Sequence, residues 1–131
     1  SSDLDKAEPE VKFTQVEVEE EAKVTEQTIF QVVEEMPEFP GGMGECMKWL
    51  GKNIKYPTIA QENGVQGRVI VQFVVTKEGN IEEPVVANGV DPYLDAEALR
   101  VIKAMPKWKP GKQRGKEVNV KYTLPIHFRL K

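Results

Sequence analysis

Apolar and polar residues alternate without a break near the end of the chain. The apolar positions are Val118, Val120, Tyr122, Leu124, Ile126, Phe128 and Leu130, and between them lie Asn119, Lys121, Thr123, Pro125, His127 and Arg129. This period of two predicts a long strand over residues 116–130 with one face on a core. Pro125 lacks a backbone N–H, which favours an edge position for this strand.

A second strand has apolar residues on both of its faces. Val69, Val71, Phe73 and Val75 occupy one face of residues 68–76, whereas Ile70 and Val74 occupy the other. A strand covered on both faces is typically central in its sheet. The turn residues 77–80 and the apolar return 81–86 predict a hairpin over residues 67–87.

Helical periodicity appears in three places. The first helix has an apolar face predicted to consist of Met43, Met47, Leu50 and Ile54, and Pro57 ends it. A short helix over residues 58–63 stops at Gly64. Asp91 as N-cap and Pro92 at the first helical position predict a third helix, with Leu94, Ala98, Val101, Ile102 and Met105 buried.

These elements predict an α+β fold. Strand 68–76 is central in a three-stranded antiparallel sheet, flanked by its hairpin partner and by strand 116–130. The helices pack on one face, and a short N-terminal strand is expected near residues 29–33.

Charge divides the chain into two regions. Residues 1–28 carry nine acids and three lysines, and residues 29–131 carry 12 acids and 15 bases. Self-repulsion predicts a flexible acidic linker over 1–28 and a folded domain over 29–131. No apolar run is long enough for a membrane helix.

The residues capable of chemistry are few and scattered. His127 is the only histidine, and it falls on the polar face of the last strand with no second titrating group indicated nearby. Cys46 is the only cysteine, so no internal disulfide can form, and its position beside an apolar helix face predicts a buried thiol. One cysteine and one histidine cannot form a structural zinc site. We therefore expect no catalytic residue, no metal and no cofactor.

Two other binding motifs are not supported by the sequence. The glycines at 41, 42 and 44 lack the Gly-Lys-Ser/Thr of a phosphate-binding loop. The basic stretch 103–121 lacks a recognisable nucleic-acid recognition module, so no nucleic-acid partner is expected. A surface attractive to an acidic partner segment, or simple solubility, accounts better for those charges.

The last strand is the remaining candidate for function. An edge strand exposes free N–H and C=O groups, to which an extended peptide can add as a further strand. If Pro125 faces outward, so do Asn119, Lys121 and Thr123, which predicts docking along about 117–124. The alternative is an edge protected by Lys121, Pro125 and the N-terminal segment.

Several motifs resemble one known family. They are YP (56–57), GRVIVQFVV (67–75), KEG (77–79), LDAEA (94–98), MPKWKPG (105–111) and VNVKY (118–122). In this order and spacing, across about residues 54–130, they resemble the C-terminal domain of TonB proteins. The segment PEFPGG (37–42) is similar to an extension carried by a longer variety of that family.

The resemblance implies a function and a location. TonB is anchored in the inner membrane of Gram-negative bacteria, so an anchor upstream of Ser1 and a periplasmic location are implied. The ExbB–ExbD motor supplies energy from the proton gradient through that anchor. The partners of the C-terminal domain are the TonB box and plug domain of outer-membrane transporters.

The resemblance also implies which residues bind the partner. The box adds as a strand beside the last strand, which assigns it to Val118, Asn119, Val120, Lys121, Tyr122, Thr123, Leu124, Pro125 and Ile126. The Tyr-Pro pair, Tyr56 and Pro57, lies at the same interface, and an amide three residues earlier, here Asn53, contacts the transporter.

Other readings stay open. A TonB-like module of a membrane sensor would bind a peptide without energising transport. An assembly module would pair its last strand with a second copy, giving a homodimer. An enzyme domain would need a polar pocket with paired titrating groups, and the sequence indicates none.

Overall fold

The computed structural model describes residues 25–131, so the linker prediction for residues 1–24 lies outside the described part of the chain. The elements, in chain order, are β1 (Ile29–Phe30), α1 (Met43–Asn53), α2 (Thr58–Glu62), β2 (Gly67–Val75), β3 (Ile81–Asn88), α3 (Pro92–Lys103), β4 (Gly111–Gln113) and β5 (Lys116–Phe128). No helix within residues 25–131 combines the length and the apolar character needed to cross a membrane.

The strands form one sheet in the order β1-β5-β2-β3, and β4 pairs with β5. β2 is central and antiparallel to both β3 and β5, with nine residues of β2 opposite residues 120–128 of β5. This arrangement confirms the predicted α+β architecture. The sheet has five strands instead of the predicted three. The two additional strands are β1, which pairs in parallel with β5, and β4, which is too short to give a periodic signal in the sequence.

The core lies between the sheet and the helices. Its largest fully buried side chains are Phe73, Phe128, Leu94, Ile102, Leu124, Ile126, Val69, Val71, Val75, Val101 and Val120. The buried face of α1 differs from the prediction, because Met43 and Met47 are 44% and 42% exposed while Cys46 and Leu50 are buried. The face of α1 that contacts the core therefore includes Cys46 and Leu50, and not Met43 and Met47 as predicted.

The start of α3 confirms the sequence prediction. The Asp91 carboxylate accepts hydrogen bonds from the backbone N–H groups of Tyr93 (2.9 Å) and Leu94 (3.2 Å), and Pro92 follows it. Such a cap satisfies donors that a helix otherwise leaves without partners. It fixes the first turn of α3, and further along this helix Glu97 accepts a hydrogen bond from the Lys55 N–H in the connection between α1 and α2.

The segment PEFPGG (37–42) is part of the folded domain. Glu38 and Lys109 exchange two backbone hydrogen bonds of 3.0 and 2.8 Å, and Glu35 does the same with Lys112. Phe39 is buried, and its ring centroid lies 6.1 Å from that of Trp49 and 5.9 Å from that of Trp108. Aromatic packing therefore joins this segment to α1 and to the chain that leads into β4.

Candidate peptide-binding edge

The backbone groups of β5 divide into two rows. The N–H of Thr76 donates to the carbonyl of Asn80 (2.9 Å), so Thr76 faces β3 and the preceding Val75 faces β5. The partner of Val75 is Val120, and the register continues without a shift to the end of β5. Since successive strand residues direct their backbone groups to opposite edges, the even-numbered residues of β5 face β2.

β4 lies on the same edge of β5 as β2. Lys112 directs both its N–H and its C=O to Glu35, so its neighbours Gly111 and Gln113 face β5. Their partners are Val118 and Lys116, which are again even-numbered residues. β4 thus continues the line of β2, and both strands use one edge of β5.

The odd-numbered residues of β5 face the opposite edge. Among residues 25–131, β1 is the strand that lies on this edge, with Ile29 opposite Asn119 and Phe30 opposite Val120. Beyond Val120, no strand within residues 25–131 lies on this edge. Pro125 belongs to the outward row, where its missing N–H removes no bond to β2, which explains why the sheet tolerates it.

The nine predicted binding residues of β5 therefore do not share one face. Four of them belong to the outward row: Asn119, Lys121, Thr123 and Pro125. The other five turn their side chains to the core side: Val118, Val120, Tyr122, Leu124 and Ile126. The Tyr122 ring packs against Trp108 at 5.0 Å and Phe73 at 5.8 Å between centroids, and burial raises the pKa of its phenol. Tyr122 therefore acts in packing in this structure.

Tyr56 lies at the carboxyl end of β5. Its hydroxyl donates a hydrogen bond to the carbonyl of Val65, and its ring meets Phe128 edge-on, with centroids 5.7 Å apart. Pro57 follows directly and precedes the first turn of α2, so the Tyr-Pro pair joins the two helices.

A groove connects Tyr56 to the end of β5. It has a volume of about 630 Å³, and its lining includes Ile54, Tyr56, Gln61, His127, Arg129 and Leu130. Of these residues, only Tyr56 is a predicted binding residue. The predicted site ended at Ile126, although the unbroken alternation through Leu130 could have extended it. The outward row reaches His127, which is exposed as predicted.

Asn53 is exposed at the last turn of α1. Its side-chain amide donates to the carbonyl of Trp49 (2.8 Å), and its own carbonyl accepts from the Arg100 guanidinium (2.9 Å). Within residues 25–131, no recorded hydrogen bond joins Asn53 to β5. It is close to Tyr56 in the chain, but it is not among the residues that line the groove.

Glu97 holds this connection in place. Its carboxylate accepts from the Lys55 backbone N–H (2.7 Å) and from two nitrogens of Arg100 (2.6 and 2.7 Å). Burial by itself raises the pKa of Glu97, but the hydrogen bonds from Arg100 and Lys55, with their charges, outweigh it and lower that pKa below its ordinary value. The ionised Glu97 thus holds Lys55 directly, and it holds Arg100, which in turn donates to the carbonyl of Asn53.

The amino end of β5 is held by a different set of polar contacts. The side-chain amide of Asn119 donates to the carbonyl of Glu26 (2.8 Å), and its oxygen accepts from the Lys77 N–H (2.9 Å). The Lys77 ammonium donates to the Glu26 carboxylate at 2.9 Å, and this hydrogen bond lowers the pKa of Glu26. Residues 25–28, assigned to the linker by charge alone, therefore contact the domain.

The thiol of Cys46 and possible metal ligands are two further features of residues 25–131. Cys46 is fully buried, as predicted, and burial raises the pKa of its thiol to about 11. Within residues 25–131, no cluster of three or more histidine, cysteine or acidic side chains is placed to hold a metal ion.

Comparison with known proteins identifies relatives. Residues 52–130 match the family model described as Gram-negative bacterial TonB protein C-terminal. Two solution structures of the Helicobacter pylori TonB C-terminal domain are similar. The one spanning its residues 179–285 has a TM-score of 0.54 at 26% identity, covering 68% of this chain and 80% of that one. The one spanning 194–285 has a TM-score of 0.55 at 26% identity, covering 68% and 94%. A comparison with curated proteins gave no match.

Proposed function

Because this chain belongs to the family of Gram-negative TonB C-terminal domains, we propose that it is the partner-binding domain of a TonB-type energy transducer. In this proposal it binds the TonB box of outer-membrane transporters by strand addition. The partner also includes the transporter's plug domain, and the ExbB–ExbD motor acts through an upstream inner-membrane anchor. The domain works in the periplasm as a binding module without catalysis, and the acidic residues before Thr25 form the end of its spacer.

One observation carries this proposal: the outward row of β5 past Val120 has no neighbouring strand within residues 25–131. Thr123 and His127 each offer an N–H and a C=O on this edge, and Pro125 offers a carbonyl. Their side chains are exposed or half-buried, so a peptide can approach. Main-chain bonds of this kind supply affinity in strand addition, and alternating side-chain contacts supply selectivity.

The groove beside Tyr56 extends the same surface. A peptide strand that follows the outward row towards His127 arrives at this groove, which Ile54 and Leu130 line with apolar surface. Tyr56 lines this groove, and Pro57 and Asn53 lie within three residues of Tyr56 in the chain, which supports proposing all three as contact residues. Arg129 and Lys131 favour an acidic residue in the adjoining part of the partner.

The expected affinity is modest. Each backbone hydrogen bond contributes about 0.5–1.5 kcal/mol net, and association itself costs several kcal/mol. Binding on the order of micromolar, rapid and reversible, follows from this balance. Reversible binding suits a transducer that must release one transporter and engage another.

The test is a backbone-amide NMR titration with TonB-box peptides from transporters of the same organism. We expect saturable shifts along Asn119 to His127 and near Tyr56. Thr123→Pro removes one outward N–H and is expected to weaken binding about two- to tenfold, the equivalent of one hydrogen bond. Thr123→Val is the matched control, because it keeps the amide and removes only the hydroxyl.

The alternatives give different results. Saturable shifts elsewhere on the domain would refute strand addition at β5. No shifts at millimolar peptide would favour a sensor-type module. If line widths along β5 instead depended on protein concentration without any peptide, the edge would be pairing with a second copy of the chain.

A further inference from the structure

We propose that residues 25–30 are an internal occupant of the β5 edge, and that a partner strand must displace them to pair along the whole outward row. This inference rests on the proposed function. It goes beyond it because it makes the affinity for the partner depend on a competing segment of the same chain.

The occupied position follows from the register. Phe30 is paired with Val120, and Val120 already has Val75 on its inner side. β1 must therefore lie on the outward edge, in line with the free positions 121–127. A partner strand that extended from Thr123 to Asn119 would occupy the same space as Ile29 and Phe30.

The occupant is held weakly. β1 pairs over only two residues, and the Ile29 side chain is 45% exposed. The Glu26 side chain is 81% exposed in its ion pair with Lys77, and exposed pairs of this type contribute little to stability. A longer strand that makes more main-chain bonds can replace this two-residue parallel strand, its exposed ion pair and the hydrogen bond from the Asn119 amide to the Glu26 carbonyl (2.8 Å).

The structure also shows where displacement stops. Val32 is 82% exposed, whereas Val33 is buried at 7% exposure. Two residues later, Glu35 exchanges two backbone hydrogen bonds with Lys112. Residues 25–30 can therefore leave the edge by rotation about residues 31–32, while the segment from Val33 onward keeps its place in the domain.

Release is therefore linked to binding. A competitor present on the edge lowers the apparent affinity by the fraction of molecules in which the edge is open. Changes that loosen β1 should strengthen peptide binding although they remove native contacts. Simple loss of structure at the site would weaken binding, so the direction of the effect separates the two causes.

The decisive experiment locks β1 in place. Ile29→Cys and Asn119→Cys are introduced together into the Cys46→Ala background, since positions 29 and 119 are direct cross-strand partners. Peptide affinity is then measured for the oxidised and the reduced form of the same protein. We expect the reduced form to bind on the order of tenfold more tightly, because only it can open the edge.

A second variant loosens the segment without a disulfide. Lys77→Met keeps most of the side-chain stem and removes the bond to Glu26. We expect peptide binding about two- to threefold tighter and faster hydrogen exchange at the Phe30 amide. Lys107→Met is the control, because it makes the same charge change at an exposed residue remote in sequence from β1.

Three results would count against the inference, and they are distinguishable. Equal binding by the oxidised and reduced forms would overturn displacement while leaving strand addition intact. Weaker binding by Lys77→Met than by Lys107→Met would show that residues 25–30 assist the partner. No binding by any form, with native-like spectra, would overturn the proposed function and this inference together.

Discussion

The ring of Tyr56 meets the ring of Phe128 edge-on, with centroids 5.7 Å apart and planes inclined at 88°. This contact joins the connection between α1 and α2 to the last residue of β5. It places the Tyr-Pro pair at the carboxyl end of the edge strand, whereas β1 is held at the amino end by Asn119. The outward row of β5, which we propose binds the partner, therefore runs from β1 at one end to the groove beside Tyr56 at the other.

The hydroxyl of Tyr56 stabilises this junction through its hydrogen bond to the Val65 carbonyl. Tyr56→Phe should lower the free energy of unfolding by roughly 0.5–1.5 kcal/mol, the usual net value of one hydrogen bond. Tyr56→Ala should cost about 2–4 kcal/mol, because it also removes the half-buried ring. Urea unfolding measures both. Tyr93→Phe, at a tyrosine 49% exposed, is the control, and an equal cost for the two phenylalanine variants would disprove the role of the bond.

Glu97 should make stability depend on pH in the acid range. Its folded pKa is below the ordinary value of 4.5, so the unfolded chain binds more protons than the folded protein near that pH. Its contribution is therefore complete above pH 4.5 and is lost as the pH falls through the folded pKa. Glu97→Gln should cost roughly 1–3 kcal/mol at pH 7.

The pH profile of the variant provides the check. Denaturant unfolding from pH 7 to pH 3 should show the gap between wild type and Glu97→Gln closing below pH 4.5. Glu62→Gln, at an exposed residue of α2, supplies the comparison. A gap that stayed constant through this range would mean that ionisation of Glu97 is not what holds Lys55 and Arg100.

The segment before α1 should be essential for folding although it precedes the family match at 52–130. Phe39 is buried between Trp49 and Trp108, so Phe39→Ala should cost about 3–5 kcal/mol. Met43→Ala is the control, because Met43 is 44% exposed. Thermal or urea unfolding decides the question, and equal costs would mean that residues 35–42 are an appendage rather than part of the core.

The regular elements were predictable because their signals are local. The alternation of β5, the two-faced pattern of β2 and the Asp91-Pro92 start of α3 each depend on residues close together in the chain, and the structure confirms them. The buried stripe of α1 was misjudged because Gly44 and Gly51 leave the helix without one clear apolar face. Cys46, Trp49 and Leu50 contact the core instead, and Trp49 also packs against Phe39, which lies outside the helix.

The candidate site was only partly predictable, since its main features depend on contacts between distant parts of the chain. Pro125 did indicate the outward row. The sequence indicated only that the N-terminal segment could protect this edge. It did not indicate the pairing of β1 with Asn119, because two residues carry no periodic signal. The groove beside Tyr56 brings together residues about 70 positions apart in the chain. A local sequence pattern cannot predict a contact between residues that far apart.

The turn between β2 and β3 should require glycine at one position for two separate reasons. Gly79 has φ +88°, and a Cβ built there would lie 2.2 Å from the carbonyl oxygen of Trp108. Gly115, in the turn between β4 and β5, has φ +76° with open space around a Cβ. Gly115→Ala should therefore cost only the left-handed conformation, about 1–2 kcal/mol, and Gly79→Ala should cost clearly more because the backbone must also move.

The difference between these two alanine variants isolates the close approach. The Gly79 carbonyl accepts from the Trp108 N–H at 2.9 Å, so any shift that relieves the clash also strains this bond. Trp108 packs against Phe39, Phe73 and Tyr122, and the disturbance should therefore reach the core behind β5. Urea unfolding with tryptophan fluorescence measures both effects: Gly79→Ala should shift the midpoint and the emission, whereas Gly115→Ala should shift the midpoint slightly and leave the emission unchanged. Equal midpoints for the two variants would show that the turn relaxes without disturbing Trp108.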